Sequence, residues 1–333
     1  MTKEIVRVAA VQASPVHMDL NASIDKAILL ATEARDKGCD LIAFGEAWLP
    51  GYPYHIWLGA PIWPLQFTKR YFENCVDLNG PEFARLLAAA KQLGIMIAMG
   101  YSERAGGSLY LGQCLIGTDG ELIFARRKLK PTHVERAVFG EGYGEDLVVA
   151  DTPIGKVGAL CCWEHVQPLN KYAMYSQGEA IHIAAWPSFA VYNDQAYALG
   201  REVNMNASQL YAVEGQNFVI AATSIITQAT LDLLQVNESN AGMLQLGGGS
   251  AMIFAPDGRR MMDYLPEHDE GLQIADLPME AIIYAKAFAE PAGHYSKPES
   301  TQLIVHRQPR LPVLNREMPS LELAAQPDGE VSE

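Results

Sequence analysis

The stretch IVRVAAVQASPVHMDLNASIDKAILLATEARDKGCDLIAF, residues 5–44, holds two apolar runs on either side of a segment with helical periodicity. Residues 5–12 have the β-branched, apolar character of a strand, and residues 40–44 form a second run of the same kind. Between them, residues 21–38 place apolar side chains on one helical face, with Asn21 as a candidate cap and a glycine at the end. The stretch therefore predicts a β-α-β unit.

The same alternation recurs along the chain. Residues 80–94, GPEFARLLAAAKQLG, predict a helix with proline in its first turn and glycine at its end, before an apolar strand. Other predicted strands lie at 156–162, 180–186, 217–226, 250–258 and 271–277, and other predicted helices lie at 168–177 and 196–213. Strands that alternate with helices form sheets covered by helices, so the predicted fold class is α/β.

The chain is predicted to form one domain. No proline-rich or serine-rich linker interrupts its first 300 residues or so, which favours a single domain over residues 1–310. Residues 311–333 lose all periodicity, and we expect them to form a flexible C-terminal tail.

Composition argues against several classes of protein. Hydrophobic residues make up 49% of the chain and charged residues 19%, which is the balance of a globular protein. No uncharged apolar stretch reaches the roughly 18 residues of a membrane span, and the N-terminus does not read as a signal peptide, so we expect a cytoplasmic protein without a membrane partner. The formal net charge of −14 repels phosphate backbones, so nucleic acid is not expected as a partner.

The cysteines and histidines suggest neither disulfides nor a metal. Five cysteines are an odd number and are sparse, so reduced thiols are expected. Cys161 and Cys162 are adjacent at the end of a predicted strand, where neighbouring side chains point to opposite faces and so serve different purposes. There is no C-x₂-C pair and no H-E-x-x-H motif, and we therefore expect no metal and no cofactor.

Polar residues at the ends of predicted strands are the candidates for a functional site, because ligands of α/β sheets bind beyond the carboxyl ends of the strands. Glu46 follows one apolar run and Cys162 ends another, and Lys130 and Glu135 lie between them in the sequence. A carboxylate, an ammonium group and a thiol together suit acyl chemistry. Each has an ordinary alternative as a buried apolar filler, a helix cap or a charged strand edge.

Six segments, in order, resemble the motif blocks of the nitrilase superfamily of carbon–nitrogen hydrolases, and of its nitrilase branch in particular. They are FGEAWLPGYPYHIWLG (44–59), RRKLKPTHVERAVFGEGYG (126–144), GALCCWEHVQPL (158–169), YAVEGQNFV (211–219), GGGSAMIFAPDG (247–258) and EPAGHYSKPE (290–299). The resemblance implies a Glu-Lys-Cys triad in which Cys162 is the nucleophile, Glu46 the general base and Lys130 the third member. It also implies that Glu135 is a second glutamate beside the nucleophile.

Two positions differ from residues that are common in the superfamily. Gly45 stands where the superfamily commonly has proline, and we expect it to loosen the backbone that holds Glu46. His165 stands where the wider superfamily often has asparagine, and no proton-transfer role is assigned to it. On this interpretation Cys162 faces the site and Cys161 packs on the other side of its strand.

The resemblance implies a four-layer α-β-β-α sandwich whose subunits pair through helices into an eight-layer dimer, which nitrilases often extend into spirals or filaments. The helices after Cys162 and near 196–213 are the expected pairing surface of this homo-oligomer. The family reaction is attack of the thiolate on a nitrile carbon to give a thioimidate, loss of ammonia to give a thioester, and release of the carboxylic acid by water.

The segment WLPGYPYHIWLGAPIWPLQF, residues 48–67, carries three of the five tryptophans directly after Glu46. Such aromatic side chains can line an apolar pocket, so we expect aryl- or arylalkyl-nitriles as substrates; a place in the core or in a subunit interface is the alternative. The expected substrate contacts, which include two aromatic residues elsewhere, are Tyr52, Tyr54, Trp57, Trp163 and Trp186.

Two other functions remain open from the sequence. A cyanide hydratase or dihydratase, or an aliphatic amidase, would use the same three residue types. A non-catalytic thiol sensor or scaffold would need only a reactive Cys162.

Overall fold

The computed structural model describes residues 3–192 and 195–308, so the predicted tail at 311–333 lies outside the described residues. The α-helices are α1 (Leu20–Asp36), α2 (Leu65–Asn74), α3 (Pro81–Leu93), α4 (Pro168–Tyr175), α5 (Arg201–Gly215), α6 (Gln228–Leu233) and α7 (Glu280–Ala289). The strands are β1 (Ile5–Gln12), β2 (Leu41–Ala43), β3 (Met96–Ala105), β4 (Ser108–Ile116), β5 (Leu122–Arg127), β6 (Phe139–Gly140), β7 (Val149–Thr152), β8 (Gly155–Cys161), β9 (Ile181–Ala185), β10 (Phe218–Ala222), β11 (Met252–Phe254) and β12 (Gly271–Pro278). Short 3₁₀ helices include Tyr54–Trp57, His133–Ala137, Cys162–Val166 and Tyr197–Leu199.

The strands form two sheets. The first has the order β12-β1-β2-β3-β4-β5, with β6 beside β4, and the second has the order β11-β10-β9-β8-β7. In each sheet three consecutive strands are parallel: β1, β2 and β3 in the first, and β8, β9 and β10 in the second. The carboxyl ends of parallel strands lie at one edge of a sheet, which is where side chains for a site can be collected.

The two sheets pack face to face and are covered on their outer faces by helices. The core between them is apolar and includes Val8, Leu41, Ala98, Val157, Ile183 and Ile220. Helices α1 and α3 pack on the first sheet, with Ile24, Ala31, Phe83 and Leu86 fully buried. Helices α4 and α5 pack on the second, with Met174, Tyr211 and Ala212 fully buried. The predicted α-β-β-α sandwich is confirmed.

Some boundaries differ from those predicted. Helix α1 is capped by Asp19 rather than Asn21, because the Asp19 carboxylate accepts the N–H of Ala22 at 3.0 Å. The helix predicted from residue 196 begins at Arg201, since the preceding residues form a separate 3₁₀ turn. Within the described ranges, no helix is both long enough and apolar enough to cross a membrane.

Candidate active site

Glu46 and Cys162 lie just beyond parallel strands of different sheets. Glu46 follows β2, and its backbone N–H donates to the carbonyl oxygen of Trp186, directly after β9, at 3.0 Å. Cys162 is the first residue after β8. The chain approaches closely here, because a Cβ on Gly45 would lie 2.6 Å from the carbonyl oxygen of Trp186. Gly45 thus provides room for this approach of the two sheets, in addition to the backbone freedom expected of glycine.

The centre of the site is a buried lysine between two carboxylates. The Nζ atom of Lys128 donates to Oε1 of Glu46 and to Oε2 of Glu135, at 2.8 Å in both cases. All three side chains are almost completely shielded from solvent. A buried cation needs such partners, since an unpaired charge in the protein interior is strongly unfavourable.

Lys130 does not lie in this group. Its side chain is 62% exposed and forms an ion pair with Glu141 on the surface. The sequence prediction that a lysine joins Glu46 and Cys162 is therefore corrected by two positions, to Lys128. Strand β5 ends at Arg127, and Lys128 follows it directly, so its side chain continues the inward and outward alternation of the strand. Lys130 lies two residues further on, in the bend before Pro131.

Glu135 is held by groups from two directions. Its Oε2 atom accepts the backbone N–H of Thr132 at 2.6 Å, and its Oε1 atom accepts the hydroxyl of Tyr52 at 2.7 Å. The indole N–H of Trp57 in turn donates to the Tyr52 hydroxyl at 3.3 Å. The aromatic segment after Glu46 is thus joined to the charged group by hydrogen bonds.

Burial shifts the pKa values of the site. Burial raises the pKa of Glu46 to about 8, in spite of the opposing attraction of Lys128. Burial and the charge of Glu46 likewise raise the pKa of the Cys162 thiol, while Lys128 and the backbone N–H of Trp163 oppose this change. For Lys128, burial favours the neutral amine, but the two carboxylates outweigh burial and raise its pKa well above the usual range. The charged ammonium form of Lys128 is therefore favoured.

The backbone of Cys162 is strained. Its φ of 46° lies in the left-handed region, which costs a residue other than glycine about 1–3 kcal/mol and persists only where the surroundings enforce it. The Cys162 carbonyl oxygen accepts a hydrogen bond from Nδ1 of His165 at 2.6 Å. Cys161, the last residue of β8, is completely buried, and all five cysteines are free.

A buried ion pair supports the turn that carries Cys162. Both carboxylate oxygens of Glu164 accept hydrogen bonds from Arg126, at 2.9 and 2.7 Å. The same oxygens accept the backbone N–H groups of Cys161 and Leu129, at 2.8 and 2.9 Å. Sequence analysis did not identify Arg126, Lys128 or Glu164; the two-residue spacing of Arg126 and Lys128 on a strand was the available signal.

A small cavity of about 40 Å³ opens beside Cys162. Of the predicted substrate contacts, Tyr52, Trp57 and Trp163 line it, together with Phe189, Val191 and Leu199. Tyr54 and Trp186 do not line it. Tyr54 is buried and shares hydrogen bonds with Ser224 and the N–H of Ser188, and Trp186 is completely buried with its indole N–H donating to Ser208. Both residues therefore pack around the site without lining its cavity.

Comparison with known proteins identifies the family of the chain. The sequence profile of the carbon-nitrogen hydrolase family matches residues 7–287. The chain belongs to the carbon–nitrogen hydrolase family. Relatives of this carbon–nitrogen hydrolase include the "Nitrilase, arylacetone-specific" of Alcaligenes faecalis, 63% identical over 311 residues that cover 92% of this chain and 87% of the relative. A "Nitrilase" of Pseudomonas syringae pv. syringae is 48% identical over 97% of this chain and 96% of its own.

Further relatives of this carbon–nitrogen hydrolase are named either aliphatic nitrilases or arylacetonitrilases. Among solved structures, an amidase of the nitrilase superfamily from Nesterenkonia AN1 has a TM-score of 0.61, with coverage of 85% of this chain and 95% of that chain. Its sequence identity of 17% limits this likeness to the fold. The relatives place the chain in the nitrilase branch of the family.

Proposed function

We propose that this carbon–nitrogen hydrolase is a nitrilase, which converts organic nitriles to carboxylic acids and ammonia with Cys162 as its nucleophile. The observation that carries the proposal is the buried Lys128 between Glu46 and Glu135, in the same site as the half-buried thiol of Cys162. The nitrilase named for arylacetone specificity, 63% identical to this chain, supports it.

Glu46 is the proposed general base. Its Oε2 atom is buried and has no hydrogen-bond partner among the described residues, whereas Oε1 is held by Lys128. Oε2 is therefore free to take the proton of the thiol as sulfur bonds to the nitrile carbon. One C–N π bond opens in this step, and the nitrogen takes a proton from Glu46 to give a neutral thioimidate.

Lys128 is the proposed electrostatic stabiliser. Negative charge develops on the nitrile nitrogen in the first step and on oxygen in the later tetrahedral intermediates. A fixed ammonium about 4 Å away gains roughly 4 kcal/mol from this charge at an effective dielectric of about 20, before desolvation is subtracted. Lys128 acts here through its charge, so its part in the stabilisation involves no proton transfer of its own.

Water completes the reaction in two additions. As the oxygen of the first water bonds to the thioimidate carbon, the C=N π bond opens, and Glu46 takes a proton from the water and passes it to the nitrogen. The hydroxyl proton of the tetrahedral intermediate then moves to the nitrogen, and the C–N bond breaks to release ammonia and form the thioester carbonyl. A second water adds in the same way, and the carbon–sulfur bond breaks to release the acid and the free thiol. Glu46 thus acts alternately as base and acid.

We propose aryl- or arylalkyl-nitriles as the preferred substrates. A volume of about 40 Å³ holds only a few small atoms, which matches the nitrile group and its neighbouring carbon. The aryl group would then lie outward, among Trp57, Trp163 and Phe189. Aromatic side chains of this kind stack favourably with a ring at offset or edge-to-face geometry.

We propose that the protein forms homo-oligomers through the helices on its second sheet. Leu169 on α4 and Leu210 on α5 are 65% and 50% exposed. On α7, Tyr284 and Phe288 line a groove of about 660 Å³ together with Val213 of α5. Apolar side chains exposed side by side are typical of surfaces that a second subunit covers.

The proposed function is tested by product analysis. Ammonia and acid are measured with phenylacetonitrile, mandelonitrile, benzonitrile, aliphatic dinitriles, simple amides and cyanide, for the wild type and for Cys162→Ala. Acid and ammonia from nitriles, absent in the variant, support the proposal. Turnover of amides or cyanide alone would assign the chain to another hydrolase activity, and activity confined to aliphatic dinitriles would overturn the aryl preference.

A further inference from the structure

A chain of buried polar side chains runs from the backbone of Cys162 through the second sheet. Nδ1 of His165 lies 2.6 Å from the Cys162 carbonyl oxygen, and Nε2 of His165 lies 2.9 Å from Nε2 of His182. Nδ1 of His182 lies 2.6 Å from Oε1 of Glu179. All three side chains are fully or almost fully buried, and none of them takes part in the proposed chemistry.

The positions of the protons in this chain follow from its first acceptor. A carbonyl oxygen can only accept, so Nδ1 of His165 carries a proton. In a neutral His165, Nε2 then accepts, so Nε2 of His182 donates to it. Nδ1 of a neutral His182 accepts in turn, which requires the proton on the carboxyl group of Glu179. In each hydrogen bond of the series, the donor is therefore the group farther from Cys162 and the acceptor is the nearer one.

The far end of the chain matches a protonated carboxyl group. Oε2 of Glu179 accepts the hydroxyl of Tyr211 at 2.7 Å and the amide of Asn217 at 3.0 Å, so Oε1 is the oxygen that faces His182. Burial raises the pKa of Glu179 to about 8 and lowers the pKa values of both histidines well below their usual range. Gly158 makes room for this carboxyl, because a Cβ there would lie 2.1 Å from Oε1.

We propose that His165 is a positioning residue for the cysteine: its Nδ1–H holds the Cys162 carbonyl in the strained turn, and His182 with a protonated Glu179 fixes the His165 tautomer that does so. The hydrogen bond from His165 stabilises the strained φ of 46° at Cys162, because a residue in that conformation must be held by its surroundings. Trp186 stacks on His165 at 5.0 Å between ring centres and restricts its ring from the side. The inference rests on the proposed role of Cys162 as nucleophile.

Two matched substitutions of His165 test the first part. In His165→Asn the amide nitrogen can take the place of Nδ1 and donate to the Cys162 carbonyl, but the side chain is too short to reach His182. In His165→Gln the amide can take the place of Nε2 and reach His182, but the donor to the carbonyl is lost. We expect kcat to fall about 100-fold in His165→Gln and in His165→Leu, with KM nearly unchanged, and His165→Asn to recover most of the loss.

Two substitutions of Glu179 test the second part. Glu179→Gln retains a donor toward His182 and an acceptor for Tyr211 and Asn217, as a protonated carboxyl group does. We expect its kcat to stay within about threefold of wild type, whereas Glu179→Leu loses kcat as His165→Leu does. A loss in Glu179→Gln equal to that in Glu179→Leu would show an ionised Glu179 and overturn the protonated form.

Alkylation of Cys162 by iodoacetamide provides a second measurement that does not depend on a nitrile. The rate is followed on the Cys162 peptide by mass spectrometry, with thermal melting as the check on folding. We expect the rates to rank as kcat does. A folded His165→Asn that is as slow as His165→Leu in both assays overturns the proposal. Ranked alkylation without nitrile turnover in the wild type leaves the positioning role standing and contradicts only the proposed nitrilase function.

Discussion

Among the single residues of the site, Lys128 has the environment that most restricts its chemistry. Both of its charged neighbours are carboxylates, and solvent does not reach it. A cation held in this way can stabilise developing negative charge in the transition state. Lys130, two residues later, has none of these constraints, because it lies on the surface beside Glu141.

Replacement of the two lysines is expected to separate these situations. Lys128→Met removes the stabilising charge, and we expect turnover of the best nitrile to fall about 10²–10³-fold. Lys130→Met is the matched control, with turnover expected within about twofold of wild type. Ammonia release measures both. A severe loss in Lys130→Met with near-normal Lys128→Met would contradict the correction made from the structure.

The pH dependence of kcat/KM is expected to report Glu46. A base must be ionised, and burial raises the pKa of Glu46 to about 8, so the active carboxylate accumulates only as pH rises through that region. We therefore expect kcat/KM for an uncharged nitrile to rise on the acid side with a midpoint far above the ordinary carboxyl value of about 4.3. A profile already flat from about pH 5.5 upward would exclude Glu46 as a base with this pKa.

The sequence alone suggests polar residues that follow apolar runs, but it does not decide positions that depend on burial. Glu46 and Cys162 are visible as polar residues beside β2 and β8, so the sequence alone suggests them. The choice between Lys128 and Lys130 depends on where β5 ends and on the two partners across the site, which are distant in the chain. Tyr54 and Trp186 show the same limit, since composition cannot distinguish an aromatic wall from an aromatic support.

Among the elements, the junction after β2 leaves little room for a side chain. Gly45 lies where a Cβ would approach the backbone oxygen of Trp186 to 2.6 Å, and backbone atoms cannot move aside as the end of a flexible side chain can. This contact joins the ends of β2 and β9, which belong to different sheets. The position of Glu46 therefore depends on close approach between the sheets.

Gly45→Ala is accordingly expected to displace Glu46. We predict a fall in kcat of about tenfold or more and a stability loss of about 1–3 kcal/mol, as for an overpacked core position. Gly107→Ala is the matched control, because a Cβ there would meet no atom within 4 Å. Steady-state kinetics and urea unfolding measure both effects, and equal behaviour of the two variants would contradict the packing argument.

At the element level, regular periodicity was sufficient for most of the fold. The predicted helices at residues 21–38 and 80–94 correspond to α1 and α3, and the predicted strands at 5–12 and 271–277 correspond to β1 and β12. The start of α5 was predicted too early, because residues 197–199 form a separate 3₁₀ turn from residue types that also occur in α-helices. Helix propensity does not distinguish these two conformations over so few residues.

For the whole molecule, the proposed assembly through the helices on the second sheet can be tested at an exposed leucine of α5. Leu210→Glu places a charge on the outer side of α5, and we expect it to lower the molar mass measured by light scattering after size exclusion. Leu29→Glu is the control, since Leu29 is 70% exposed on α1, which covers the other sheet. An unchanged mass in Leu210→Glu would place the subunit contact elsewhere.

The hydrogen bonds from Trp57 to Tyr52 and from Tyr52 to Glu135 have a consequence for altering substrate range. These two cavity residues belong to the same bonded unit as the charges that drive the reaction. We therefore expect most substitutions of Tyr52 or Trp57 to lower the reaction rate as they change the range of substrates. Phe189, Val191 and Leu199 line the cavity with hydrocarbon side chains, and we expect substitutions there to accommodate a new substrate while catalytic activity is retained.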